Sequence, residues 1–93
     1  MAKAKGTIKK VEVDGREYAV DMARAKSWTA VKMLARIQSA DGDAEQGTYA
    51  IQYADYVLGD AMEDVVDACG GDDAPAEDVI KLAYEVISAA AKN

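Results

Sequence analysis

Between residues 7 and 21 the apolar positions alternate with polar ones. Val11 and Val13 stand between charged neighbours, and Tyr18 and Val20 repeat the pattern after Asp14-Gly15. Period two is the signature of a strand with one covered face, and Asp-Gly is a favoured two-residue type I′ turn because both positions must accept φ > 0. The pattern predicts a β-hairpin over 7–21 in which Val13 faces Arg16, Val11 faces Tyr18 and Lys9 faces Val20. The four apolar side chains then share one face. A two-stranded hairpin is marginal in water by itself, so that face has to cover something.

From Ser27 the period becomes helical. Ser27 is a good N-cap for a helix to about Ser39, with Val31, Leu34 and Ile37 near helical spacing and Trp28 and Met33 widening the stripe. Asp41-Gly42-Asp43 ends it. Asp43 with Gln46 three residues later resembles a capping box, which predicts a second helix from about Ala44, although Gly47 costs about 1 kcal/mol there. Its body from Thr48 to Leu58 is apolar or aromatic on nearly every side, the mark of a helix central to a core or lying in an interface. Gly59 is a natural stop and Asp60 a natural start, with Glu63 completing a second capping-box pattern; a kink and a turn are both compatible with it.

Met62, Val65, Val66 and Cys69 follow at i, i+3, i+4 and i+7, with Glu63, Asp64 and Asp67 on the other face, until Gly70-Gly71. Pro75, the single proline, stands where a first helical turn tolerates it. A last helix then runs to about Ala90 with Val79, Ile80, Ala83, Val86 and Ile87 on one face. Val65, Val66, Val79, Ala83 and Val86 are the expected contact between the last two helices. The expected architecture is one α+β domain over residues 1–93, mostly α, with the hairpin (7–21) packed on three to four helices (27–91).

Composition agrees with one small core. The chain has 93 residues, 51 % of them hydrophobic, which argues against intrinsic disorder. Cys69 is the one cysteine, so no disulfide can form within the chain and a reducing compartment is the simpler expectation. Met1 to Lys5 begins like a signal peptide, but Thr7-Ile8-Lys9-Lys10 follows where an apolar segment is required. Nothing approaches the roughly 20 apolar residues of a bilayer span. The expected location is the cytoplasm, with no membrane partner.

Charge is divided along the chain. Residues 1–40 carry nine Lys/Arg against four Asp/Glu, and residues 41–93 carry two against thirteen, so the net −6 is +5 in front and −11 behind. This suggests that the two halves meet electrostatically, within one chain or between neighbours. Nucleic-acid binding by the basic front is disfavoured, because the acidic half repels phosphate and no reader motif or interleaved aromatic pattern is present.

Residue types suited to catalysis are sparse. There is no His, the commonest general acid or base, and Cys69 lies on the apolar face of its helix, where a free Cys behaves as a small hydrophobe. Asp41-Gly42-Asp43-Ala44-Glu45 begins like a calcium loop but has Gln46 and Gln52 where Gly and Glu are required. Gly70-Gly71 lacks the Lys-Ser/Thr continuation of a phosphate-binding loop. No enzyme activity, metal or cofactor is expected. Tyr49, Tyr53 and Tyr56 share a helix face, most simply as core or core edge. Tyrosine hydroxyls also suit a boundary, so Tyr53, Tyr56, Val57 and Leu58 are a candidate partner-binding edge.

Several short motifs occur together: Gly15-Arg16-Glu17-Tyr18 in the hairpin turn, Tyr56-Val57-Leu58-Gly59-Asp60, Val65-Val66 in an acidic helix, Gly70-Gly71-Asp72-Asp73, and a closing helix ending Ala91-Lys92-Asn93. This arrangement resembles the small tail assembly chaperones of long-tailed phages and prophages of Gram-positive bacteria. The resemblance implies a non-enzymatic protein that coats the long, aggregation-prone tape measure protein and helps recruit tail-tube subunits as a homo-oligomer. It implies no cofactor and supplies no active-site residues. A bacterial interaction or adaptor module would use the same amphipathic helices, and a nucleic-acid-binding subunit would use the basic front.

Overall fold

A computed structural model describes residues 8–92. Thr7 of the predicted hairpin, Lys3 and Lys5 of the basic front, and Asn93 lie outside the described residues. The chain forms strand β1 (Ile8–Val13) and strand β2 (Arg16–Asp21), then helices α1 (Met22–Ala25), α2 (Trp28–Ser39), α3 (Asp43–Leu58), α4 (Ala61–Cys69) and α5 (Ala76–Lys92). The fold is α+β and mostly α.

The strands pair antiparallel with Val13 opposite Arg16, Val11 opposite Tyr18 and Lys9 opposite Val20, the expected register. Asp14 and Gly15 both take positive φ, 53° and 84°, as a type I′ turn demands. The inner face of the hairpin buries Val11, Tyr18 and Val20 against the helices, while Lys10, Glu12, Glu17 and Ala19 of the outer face are exposed. Lys9 belongs to the inner face but does not strand its charge there. Its Nζ donates to the Ala90 carbonyl at 3.3 Å, in the last turn of α5, where the unpaired carbonyls and the helix dipole favour a cation.

Helix α3 is the centre of the packing and touches β2, α1, α2, α4 and α5. It buries Ala50, Tyr53, Ala54, Val57 and Leu58, and joins Val65 of α4 and Ala83 and Val86 of α5 in one core with the hairpin. The Tyr53 ring meets Tyr84 of α5 edge to face, with centroids 6.1 Å apart and planes at 89°.

Three local expectations are changed and one left open, at Gly59, is resolved. Helix α1 is an addition: Asp21 leaves the strand and accepts a hydrogen bond from Ala23 N at 3.0 Å, capping one short turn. Ser27 caps α2 as expected, accepting from Ala30 N. Neither capping box forms, however. Gly42 occupies the N-cap of α3 and Asp60 that of α4, and neither makes a side-chain cap bond. Glu45 turns back instead to accept from Asp41 N at 2.9 Å. Gly59 is a turn rather than a kink, at φ 54° and ψ −122°. In the α4–α5 contact Val65, Ala83 and Val86 are fully covered, whereas Val66 and Val79 are only half-buried.

Val65 should therefore be the intolerant position of α4. A carboxylate at this fully covered site is taken out of water, so Val65→Asp is expected to cost about 4 kcal/mol or more. Val66→Asp should cost much less. Thermal midpoints of the two variants check the ordering, and equal midpoints would contradict the packing described.

Candidate interaction surface

The expected edge of Tyr53, Tyr56, Val57 and Leu58 does not stand at the surface. Tyr53 is 7 % exposed, Leu58 4 % and Val57 fully covered, because these residues join the core with the hairpin, α4 and α5. Burial pushes the phenols of Tyr53 and Tyr84 above their ordinary range, and that of Tyr18 likewise, so all three remain protonated at neutral pH. Tyr56 is half-buried and bonded on both its polar groups. Its hydroxyl lies 3.1 Å from Ser27 Oγ, and its carbonyl accepts from Arg24 Nη1 at 3.2 Å. Ser27 Oγ already donates to the Arg24 carbonyl at 2.8 Å, which leaves Tyr56 as the donor between the two hydroxyls.

Arg24 thus fastens the α1–α2 segment to the end of α3. Its guanidinium lies over the Tyr56 ring, 5.6 Å from the centroid, and bonds a carbonyl in the last turn of a helix whose own last turn has no basic residue. A Cβ at Gly59 would stand 3.2 Å from Arg24 Nη1, so the guanidinium would have to give by a few tenths of an ångström. With Lys9 at the end of α5, Arg24 shows one way the basic front meets the acidic half within the chain. Both cations address helix C-termini.

The apolar surface left over is on α2. This helix packs antiparallel on α3 through Ala30, which is fully covered, and through half-buried Met33 and Ile37. Gln46 of α3 donates to the Ile37 carbonyl at 3.4 Å at the far end. Three other large apolar residues of α2 are exposed: Trp28 75 %, Val31 51 % and Leu34, at the flank of that contact, 38 %. Successive spacings of three place them along one ridge of the helix. Isolated exposed apolar residues are ordinary, whereas a contiguous apolar row is characteristic of an interaction site. The segment that carries it is basic in sign, since residues 22–40 contain Arg24, Lys26, Lys32 and Arg36 and no carboxylate.

Other candidates carry less. Cys69 is half-buried with its Sγ 3.7 Å from the Asp78 carbonyl, and burial pushes its thiol up, away from the thiolate a nucleophile requires. Among the described residues no group of three or more His, Cys, Asp or Glu is placed to hold a metal ion, and no helix is long and apolar enough to cross a membrane. The ridge was half legible in the sequence. Trp28, Val31 and Leu34 are visible as apolar positions of an amphipathic helix, but periodicity does not tell which part of that stripe the fold covers.

Comparison of the chain with protein-family models, with curated proteins and with solved structures finds no match.

The Arg24 clamp yields a local test. Gly59→Ala would hold an L-residue in a backbone region it disfavours and press a methyl group on the guanidinium. A loss of about 1–3 kcal/mol is expected. Chemical denaturation measures it, and an unchanged midpoint would show that Gly59 is not a required turn.

Proposed function

We propose that this chain is a non-enzymatic assembly chaperone of the long-tailed-phage type, working in the cytoplasm of the bacterial host. In this reading it binds apolar helical segments of the tape measure protein and aids assembly of the tail tube. The observation that carries the reading is the α2 ridge, where Trp28, Val31 and Leu34 stand exposed on a helix anchored to the fold by its opposite side. A helix laid along that row could bury its own apolar face there, the helix-in-groove mode of recognition, and Trp supplies a large rigid contact for it. The arrangement of short motifs, which resembles that of the tail chaperones, supports the choice of client.

The reading moves the partner surface from the end of α3 to α2. Burial removes Tyr53, Val57 and Leu58 from direct contact, and Tyr56 serves instead to seat α2. An adaptor module of other function would present the same ridge; neighbouring genes for a major tail protein and a very long coiled-coil-rich protein would favour the chaperone.

Co-expression with such a long protein tests the proposal. Trp28→Ser/Val31→Ser removes apolar area more than half of which is in water already, so stability should change by less than about 1 kcal/mol. The wild-type chain is expected to keep the long protein soluble and the double variant to lose most of that effect. Equal solubilisation by both would remove the ridge from the account, and none by either would contradict the chaperone function.

A further inference from the structure

We infer that the groove where α1, α3 and α5 meet binds a small single-chain amphiphile: an unbranched apolar tail carrying an anionic head, carboxylate or phosphate. The groove encloses about 380 Å³, within the size range of small-ligand sites. Its apolar wall is formed by Met22 and Ala25 of α1 and Ile87 of α5, all half-buried, with surface still to cover. Lys9 of β1 and Lys26, just after α1, line it as well, and no lining residue is acidic. Two cations beside an apolar wall, with no carboxylate among them, leave the negative charge to be supplied by a ligand.

Tyr53 adds a polar group that the fold does not use. Its side chain is too enclosed to meet a partner helix, at 7 % exposed, yet it lines this groove. Its hydroxyl has no hydrogen-bond partner among the described residues. Buried hydroxyls are ordinarily paired, because leaving one without a partner is costly. The phenol stays protonated at neutral pH, so it is available as a donor. Lys9 is held in place for the same task. Its Nζ gives one hydrogen to the Ala90 carbonyl at 3.3 Å, and an ammonium has three. An anionic head taking hydrogen bonds from Lys9, Lys26 and Tyr53 gains charge-assisted contacts, while the tail covers Met22, Ala25 and Ile87. The groove shares no residue with the α2 ridge, so the inference does not rest on the client reading and leaves that face to its helix.

Titration calorimetry of the full chain with octanoate and with octyl phosphate tests the site, each used below the concentration at which it self-assembles. Octanol and octylammonium serve as controls for the tail alone and for the opposite charge. Saturable binding at one site per chain is expected for at least one of the two anions, and the tighter of them identifies the head. Octanol should bind at least about tenfold more weakly, and the cation more weakly still. Affinity for the anion should fall at 1 M salt, where the screening length is about 3 Å. Lys26→Glu alters an exposed residue, so the thermal midpoint should stay within a few degrees while the anion binds at least about tenfold more weakly. Tyr53→Phe keeps the ring and should weaken binding at least about threefold. Trp28→Ser/Val31→Ser should bind as the wild type does, which separates the groove from the ridge. No saturable binding of either anion, octanol as tight as the anions, an unaffected Lys26→Glu variant, or loss of binding in the ridge variant would each overturn the proposal. Solubilisation of the long protein is read in a separate assay, so the two proposals fail independently.

Discussion

The structure depends on the covering of α3. This helix carries tyrosine, alanine, valine and leucine side chains over most of its circumference, and no single layer can take them all out of water. The hairpin, α4 and α5 close on one part of it and α2 on another. Every other feature follows from how differently those covers are built. The first is itself covered, because Val11, Tyr18, Val20, Val65 and Val86 have neighbours on all sides. The second is one helix thick. α2 reaches α3 through fully covered Ala30 and half-buried Met33 and Ile37, and among the described residues its far side is left exposed.

A helix attached on one face needs other restraints against sliding or leaving. These are polar and sit at its two ends: the Ser27–Tyr56 hydroxyl pair with the Arg24 clamp at the start, and the Gln46–Ile37 bond near the finish. Net hydrogen bonds contribute about 1 kcal/mol each, enough to fix orientation but less than a covered valine row supplies. The part of the molecule that presents apolar surface is thus held by its ends, while the tightly packed part stands behind α3.

Legibility in the sequence tracked how local each cause is. The hairpin, its register and its turn follow from two neighbouring residues and a period of two, and the Ser27 cap from one side chain and the amide three residues on. Those expectations agree with the structure. The two capping boxes did not form, because Gly42 rather than Asp43 took the first cap position, Gln46 bonds the Ile37 carbonyl instead, and Asp60 makes no side-chain cap bond. The surface assignment failed for a less local reason. Periodicity identifies an apolar stripe but not how many neighbours will cover it. Both α2 and α3 have apolar residues on more than one flank, and only the packing showed that α3 receives the covers while α2 keeps an open ridge. Small Ala30 was the available clue, an alanine amid larger apolar residues at the fully covered position.

Trp28 is the one tryptophan of the chain and lies on the ridge, so its fluorescence reports on the central claim directly. Acrylamide quenching of the dilute chain at high salt is the most direct measurement. With the side chain 75 % exposed, quenching should approach that of free tryptophan and emission should lie at the solvent-exposed end of its range. A shielded, blue-shifted Trp28 in the monomer would mean that α2 is covered by its own chain, contradicting the open ridge on which the account rests.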